Sequence, residues 1–391
     1  MKSEYLMVFI IVLFLFSCNK KSQKEVLYTD KIISAEKINS GDFLLSSITD
    51  SVSFVPLETA DECLIKNVDK LYWINDSIFI LDKQGNNKVL VFDGAGRFIR
   101  TIGAVGNGPG EYIQLNDFCV DTLSRCLYFL CSRFNIYQYS YEGKFIKKRN
   151  LQDFYADNIE YNKGRLFFAA SGPPGGQRYP KDKGNGYGYN LIVTDTLGKI
   201  LYEEFPNEIF GDNRRLLARP FYTLDSIILY RIYLDHHIYG VKKNNELFVH
   251  YYIDLGDNAY TINAYTMTKP PKSYPREVYE EILSRHRVIS HIVENGTHLL
   301  FFFFNRSNPM WGIYDKKTET CNCYYKKNMI DDITGLSISF FEYVNKNTFI
   351  AVVHAFSIID QKEKFKNKAW FENLNLSEAS NPVLYVIKTK N

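Results

Sequence analysis

Val68-Asp-Lys-Leu-Tyr-Trp-Ile74, Asn75-Asp76, Ser77-Ile-Phe-Ile-Leu81, then Lys88-Val-Leu-Val-Phe92, Asp93-Gly-Ala-Gly96 and Arg97-Phe-Ile-Arg-Thr-Ile102 follow one another in a single short stretch. Four apolar or alternating runs of strand length are separated by residues that favour tight turns. Runs this short cannot be helices of ordinary length, and β-branched and aromatic residues dominate them. The stretch therefore reads as one four-stranded antiparallel unit.

The same order of runs recurs along the chain. A second unit has Asp117 to Asp121, Cys126 to Cys131, Ile136 to Tyr141 and Lys144 to Lys148, with Glu142-Gly143 as a turn. A third has Asp157 to Tyr161, Arg165 to Ala170, Asn190 to Thr194 and Lys199 to Phe205. The fourth has Phe221 to Leu224, Ile227 to Tyr233, His237 to Val241 and Glu246 to Ile253. The fifth has Val288 to Val293, His298 to Phe304, Trp311 to Tyr314 and Thr320 to Tyr325. The sixth supplies Ser337 to Val344, Thr348 to His354 and Val383 to Lys388, and lacks a fourth run. Four strands per roughly 45–55 residues is the signature of propeller blades. The fold expected is all-β, a six-bladed β-propeller. Val52-Ser-Phe-Val-Pro-Leu57 is the strand left over. Its expected place is beside Val383 to Lys388, completing the last blade and removing two open edges.

The N-terminus carries a different signal. After Lys2, residues Tyr5 to Phe16 are unbroken apolar, and Ser17-Cys18 and polar Asn19-Lys20-Lys21 follow. An apolar run of this length is a secretory signal, too short to span a bilayer. Leu15-Phe16-Ser17-Cys18 resembles a bacterial lipobox, which implies lipidation of Cys18. The division expected is a signal peptide over 1–17, a lipidated Cys and lead-in over 18–49, with Asn19 to Lys24 as a tether, and one propeller domain over 50–391. The localisation expected is the cell envelope, on the outer membrane, facing the periplasm or the surface.

The net charge is +3 over 391 residues, too small to mark a nucleic-acid binder. Aromatics make up 16% of the chain, which fits pleated, half-buried surfaces. Beyond Cys18, six cysteines remain: Cys63, Cys119, Cys126, Cys131, Cys321 and Cys323. Cys119 and Cys126 flank a turn and are the best-placed pair, but buried thiols are the simpler reading.

The chain is similar to the NHL-like six-bladed β-propeller lipoproteins of Gram-negative bacteria. The similarity rests on Val55-Pro-Leu-Glu58, on Phe92-Asp-Gly-Ala-Gly-Arg-Phe98, and on Ile102-Gly103 followed by Gly106-Asn-Gly-Pro-Gly-Glu-Tyr112. It extends by pattern over residues 50–391. It implies the fold and an envelope location, and no assigned chemistry.

The propeller topology sorts the connections onto two faces. First-to-second and third-to-fourth strand turns are short. Second-to-third and blade-to-blade connections hold the long segments: Gly103 to Tyr112, Ser171 to Tyr189, Pro206 to Pro220, Gly256 to His286 and Phe356 to Pro382. Long loops in compact domains carry function more often than short ones, so this face is the candidate ligand-binding surface. Its candidate residues are Arg133, Arg178, Tyr187, Tyr189, Asp235, His236 and Arg306, the aromatic and basic members suiting a glycan, a peptide or another envelope protein. Tyr274 to Val288 has apolar residues at helical spacing and predicts a short capping helix.

Catalytic motifs are missing. Gly103 to Gly110 leads into a strand rather than the helix a phosphate loop needs. No Gly-x-Ser-x-Gly elbow and no His-Glu-x-x-His pattern occurs. No catalytic residue, metal ligand or cofactor is expected. Asp235-His236-His237 is the one acid–imidazole cluster, and calcium in the channel would need oxygen ligands from several blades. The reading is a binding module, with a propeller hydrolase or lyase as the alternative.

Overall fold

The computed structural model describes residues 31–390 except 152–153, 172–187, 207–218, 225–226, 233–234, 243, 245, 261–275, 338–340, 342 and 346. Six small antiparallel sheets stand in a ring, each beginning with its innermost strand. Blade 1 is Lys70–Ile74, Ser77–Asp82, Lys88–Asp93 and Phe98–Ile102. Blade 2 is Leu115–Asp121, Cys126–Cys131, Asn135–Ser140 and Phe145–Asn150. Blade 3 is Tyr155–Asn162, Arg165–Ser171, Tyr189–Asp195 and Ile200–Pro206. Blade 4 is Phe221–Leu224, Ile227–Arg231, His237–Val241 and Leu247–Asp254. Blade 5 is Arg287–Glu294, His298–Asn305, Asn308–Asp315 and Thr320–Tyr325. Blade 6 is Tyr343–Asn345, Thr348–Val353, Val383–Thr389 and, from far upstream, Thr49–Pro56. In that last pairing Val383 lies opposite Pro56, Leu384 opposite Val55 and Ile387 opposite Val52.

One turn repeats between the third and fourth strands. In blade 1 the Asp93 carboxylate accepts the N–H groups of Ala95 and Arg97 at 3.0 and 2.9 Å, and Gly96 has φ 85°. In blade 3 Asp195 does the same for Leu197 and Lys199, and Gly198 has φ 96°. The short acceptor side chain fixes the turn, and only glycine takes the left-handed position without strain. Each such turn docks on the end of the preceding blade's outer strand. A Cβ at Gly96 would lie 2.2 Å from the Pro56 carbonyl oxygen, so the glycine is what admits blade 6 there.

The core is a ring of six separate seams, each filled by the facing sides of two neighbouring blades. Phe79 and Val91 of blade 1 meet Phe118 and Phe129 of blade 2, for example. This is how a chain of this length avoids needing one large core.

The segment before blade 6's outer strand is part of the rim. Ile32–Ser34 adds a fifth, parallel strand to the outer edge of blade 4, and Ile38–Asn39 does so on blade 5. Phe43–Leu44 then pairs with Met329–Ile330, between blades 5 and 6. Ile33, Ala35, Phe43, Leu45 and Ile48 of this strap are buried in the seams.

Two expectations need correction. Phe356 to Pro382 is not an open loop: three short helices, Ala355–Ile359, Lys362–Phe365 and Ala369–Glu372, fold it onto the seam between blades 5 and 6. Ile358 and Phe365 are fully buried, and Trp370 stacks on Phe54 at 4.7 Å. The spacing of these apolar residues supplies the drive. Ser337 to Val344 also shortens to a strand over Tyr343–Asn345 among the described residues. The capping helix forms at Arg276–Arg285, with Ile282 buried. All six described cysteines are free thiols. Cys119 lies opposite Tyr128, and Cys126 opposite Asp121, so the pair named from sequence does not face across the ladder.

Candidate functional site

The inner strands enclose an axial cavity of about 190 Å³. Side chains alternate along a strand, so each inner strand turns part of its residues toward the axis; in blade 5 a register shift between Ile289 and His291 interrupts the alternation. Blade 1 contributes Lys70 and Tyr72, blade 2 Asp117, blade 3 Asn158 and Glu160, blade 4 Tyr222, and blade 5 His291 and Glu294. Asp69, Lys83 and Arg219, from blade-to-blade and second-to-third connections, also line it, so the cavity reaches the long-loop face.

Two ionic clusters hold these strands. In the first, Lys70 Nζ lies 3.1 Å from Asp117 Oδ2 and 3.6 Å from Glu160 Oε2, and donates to the Ile159 carbonyl at 2.9 Å. Tyr72 donates its hydroxyl to Glu160 at 2.6 Å, and the Ile159 N–H donates to Asp117 at 2.9 Å. Three blades are thereby cross-linked by one cation shared between two carboxylates. Burial pushes the Glu160 carboxyl above its ordinary range, and Lys70 and Tyr72 offset this only in part. For Lys70 burial works downward, but the charges of Asp117 and Glu160 outweigh it and the ammonium is held above its usual value.

The second cluster centres on Glu294 of blade 5. Lys316 approaches at 2.6 Å, His250 of blade 4 at 3.1 Å, and the Tyr222 hydroxyl donates at 3.0 Å. Burial would raise this carboxyl, but the bond and charge of His250 and the charge of Lys316 outweigh it, and it sits below the usual range. Above these clusters Arg219 Nη2 donates to the Asp69 carbonyl at 3.0 Å, spanning the mouth from the blade 3–4 connection to the strand entering blade 1.

The residues named from sequence lie elsewhere on the same face, and none of the five described ones lines the cavity. Arg133 has φ 70° in the blade 2 turn; it pairs with Asp157 at 2.9 Å and covers the Tyr155 ring at 5.4 Å, clasping blades 2 and 3. Tyr189 begins the third strand of blade 3. Arg306 donates to Asn258 at 2.9 Å. Asp235 is half-buried and accepts His237 Nδ1 at 2.6 Å and the Tyr239 hydroxyl at 2.5 Å. His236 is buried, and burial lowers its imidazole to about 4. Arg178 and Tyr187 lie outside the described residues, as do Cys18 and the whole of 1–30. Sequence alone does not group the axial residues, because Lys70, Asp117, Glu160 and Glu294 sit in different repeats and only strand alternation across repeats connects them.

Among the described residues there is no group of three or more His, Cys, Asp or Glu placed to hold a metal ion, and no helix long and apolar enough to cross a membrane.

Fold and axis together define a six-bladed β-propeller whose channel is cross-linked by buried ion pairs. Residues 29–388 match the family described as "Domain of unknown function (DUF4934)", and the chain belongs to it. Among solved structures it is similar to a Bacteroides fragilis protein described as exported: 21% identity, TM-score 0.74, covering 92% of this chain and 100% of that one. It is also similar to a DUF4221 family member from Bacteroides vulgatus, at 10% identity and TM-score 0.54, covering 88% of this chain and 98% of that one. Both likenesses concern the fold. No curated protein matches the sequence.

Proposed function

We propose that this chain is an exported envelope protein, anchored by lipid on Cys18, that works as a binding module and takes a polar ligand at the axial mouth on its long-loop face. The observation that carries the reading is the axial cavity. It gathers polar side chains from five blades, yet its carboxylates are already engaged by Lys70, Tyr72, Tyr222, His250 and Lys316. Pre-paired charges make a rigid, pre-organised wall suited to recognition, whereas a general base needs a carboxylate poised to exchange its proton. Arg219, whose Nη2 donates to the Asp69 carbonyl, stands at the mouth where a ligand carboxylate or sugar hydroxyl would meet a guanidinium. The exported neighbour and the lipobox-like Leu15 to Cys18 support the location.

A glycan array and an envelope-peptide panel, probed with the mature chain and with Arg219→Ala, test the site. Ligand capture that weakens about tenfold in the variant supports it, and capture unaffected by Arg219 removes the mouth as the site. Turnover of any captured substrate would replace the binding reading with a hydrolytic one. For that alternative the Asp235–His237 pair is the candidate, because Asp235 orients the His237 ring through Nδ1. Cys18→Ala should move the protein from the membrane to the soluble fraction; retention there, with no lipid found on the native chain, rejects the anchor.

A further inference from the structure

On the rim between blades 2 and 3 lies a groove of about 810 Å³, formed by the end of the outer strand of blade 2 and by the turn Leu197-Gly198-Lys199 of blade 3. Arg149 stands in it. Its Nη1 donates to the Thr196 carbonyl, while Nε and Nη2 are shielded from water and have no hydrogen-bond partner among the described residues. Unpaired buried guanidinium nitrogens are costly and call for an explanation. Asp195, the carboxylate whose charge acts on Arg149, accepts the N–H groups of Leu197 and Lys199 and no hydrogen bond from Nε or Nη2.

The other seams sharpen the point. The strand ladder puts Ile102 of blade 1, opposite Val89, where Arg149 of blade 2 stands opposite Ile136. Both lie against the glycine of the next blade's turn: a Cβ added at Gly143 would come 3.9 Å from Ile102, and one added at Gly198 would come 3.9 Å from Arg149 Nη1. At the turn of blade 1 the side chain beside Gly96 is Val55. An aliphatic side chain therefore fills this place in two seams, and the fold does not ask for a cation. Lys199, exposed, flanks the groove, whereas Lys148, the neighbour of Arg149 on the strand, turns to the other face of the sheet, over the Tyr137 ring at 5.1 Å. Leu197 in the same turn as Lys199 is 79% exposed.

We propose that this groove is an oxyanion site, taking a phosphate or sulfate group borne by an envelope ligand. A small turn of the Arg149 side chain toward the groove would exchange one neutral carbonyl for a two-pronged, charge-assisted contact, the geometry in which arginine binds phosphate best. Lys199 then closes on the remaining oxygens.

The test uses the mature chain and Arg149→Ile, which installs the residue found at the corresponding place in blade 1. Inorganic phosphate is titrated by calorimetry, and flotation is measured with vesicles of phosphatidylcholine alone or with phosphatidylglycerol added. The site predicts saturable phosphate binding that falls at least tenfold in Arg149→Ile, with a Tm equal to or above that of the parent. Lys199→Ala should fold normally and bind less tightly. Binding of soluble phosphate without flotation assigns the site to a soluble phosphorylated ligand; Arg149-dependent flotation assigns it to a lipid headgroup. The proposal is overturned if phosphate and vesicles bind parent and Arg149→Ile alike or not at all. It is equally overturned if Arg149→Ile loses stability while binding is unchanged, since the arginine would then be structural.

Discussion

Blades 4 and 5 end in outer strands that carry no lysine or arginine, Leu247-Phe-Val-His-Tyr-Tyr-Ile-Asp254 and Thr320-Cys-Asn-Cys-Tyr-Tyr325. Both are covered by the strap. Among the described residues blades 1, 2 and 3 carry four-stranded sheets with no added strand, and their outer strands hold Arg100, Lys147 with Lys148, and Glu203 with Glu204. An unpaired edge invites another strand, and charge or cover are the two ways to prevent it. This ring uses one on each half, so the strap acts as edge protection as well as packing.

Several experiments can break that division. Deleting Ser51 to Glu58 removes the outer strand of blade 6, on which Trp370 and Tyr385 stack through Phe54. We expect the largest effect here, a fall in Tm of about 10 °C or more with aggregation, because strand and seam go together. Deleting Asn19 to Lys24 should change neither. Phe43→Ala, which empties a buried strap position, should cost about 3–5 kcal/mol in urea unfolding. Ile146→Ala, on the bare edge of blade 2 and 49% exposed, should stay within about 0.5 kcal/mol. Equal losses would mean that the strap is no better anchored than a free edge. In a chain lacking residues 31–48, Asn322→Lys should reduce aggregation seen by light scattering, because it charges the edge left bare on blade 5; no change would count against the edge argument.

The axial carboxylates divide the same two halves by pH. Glu294, held low by its bonds to His250 and Lys316, contributes stability above the unfolded carboxyl value near 4.5 and loses it as pH falls through its own lower value. Glu160, held high, works the other way: its contribution is present below about 4.5 and is lost as pH rises through the folded value. Glu294→Gln should therefore cost about 3 kcal/mol at neutral pH, through an orphaned lysine, and much less in acid. Glu160→Gln should be neutral or slightly stabilising at neutral pH, by no more than about 1 kcal/mol, since Lys70 then faces one carboxylate. Tm measured between pH 3 and 8 separates them, and parallel curves would refute the assignment.

The blades were legible because their turns are local: Asp93 to Gly96 and Asp195 to Gly198 announce themselves within a few residues. The long-loop face was legible as a rule of topology. The axial clusters were not, because Lys70, Asp117 and Glu160 meet only after three blades have formed. The strap was read as a lead-in for a similar reason. Its two- and three-residue strands are too short to show a period and acquire meaning only against edges hundreds of residues away. The short helices between Phe356 and Pro382 were hidden by their polar residues, although Ile358 and Phe365 carry the burial.

The pairing of Thr49–Pro56 with Val383–Thr389 also sets a clock. Blades 1 to 5 are each built from one contiguous stretch and can assemble as soon as that stretch is available. Blade 6 cannot: the contact from Asn381 to the Glu58 carbonyl spans 323 positions. The entropic cost of so long a loop grows only slowly with its length, so the delay is one of synthesis and search rather than of final stability. Until the last strand leaves the ribosome, the first one has no partner, and the ring stays open along one seam.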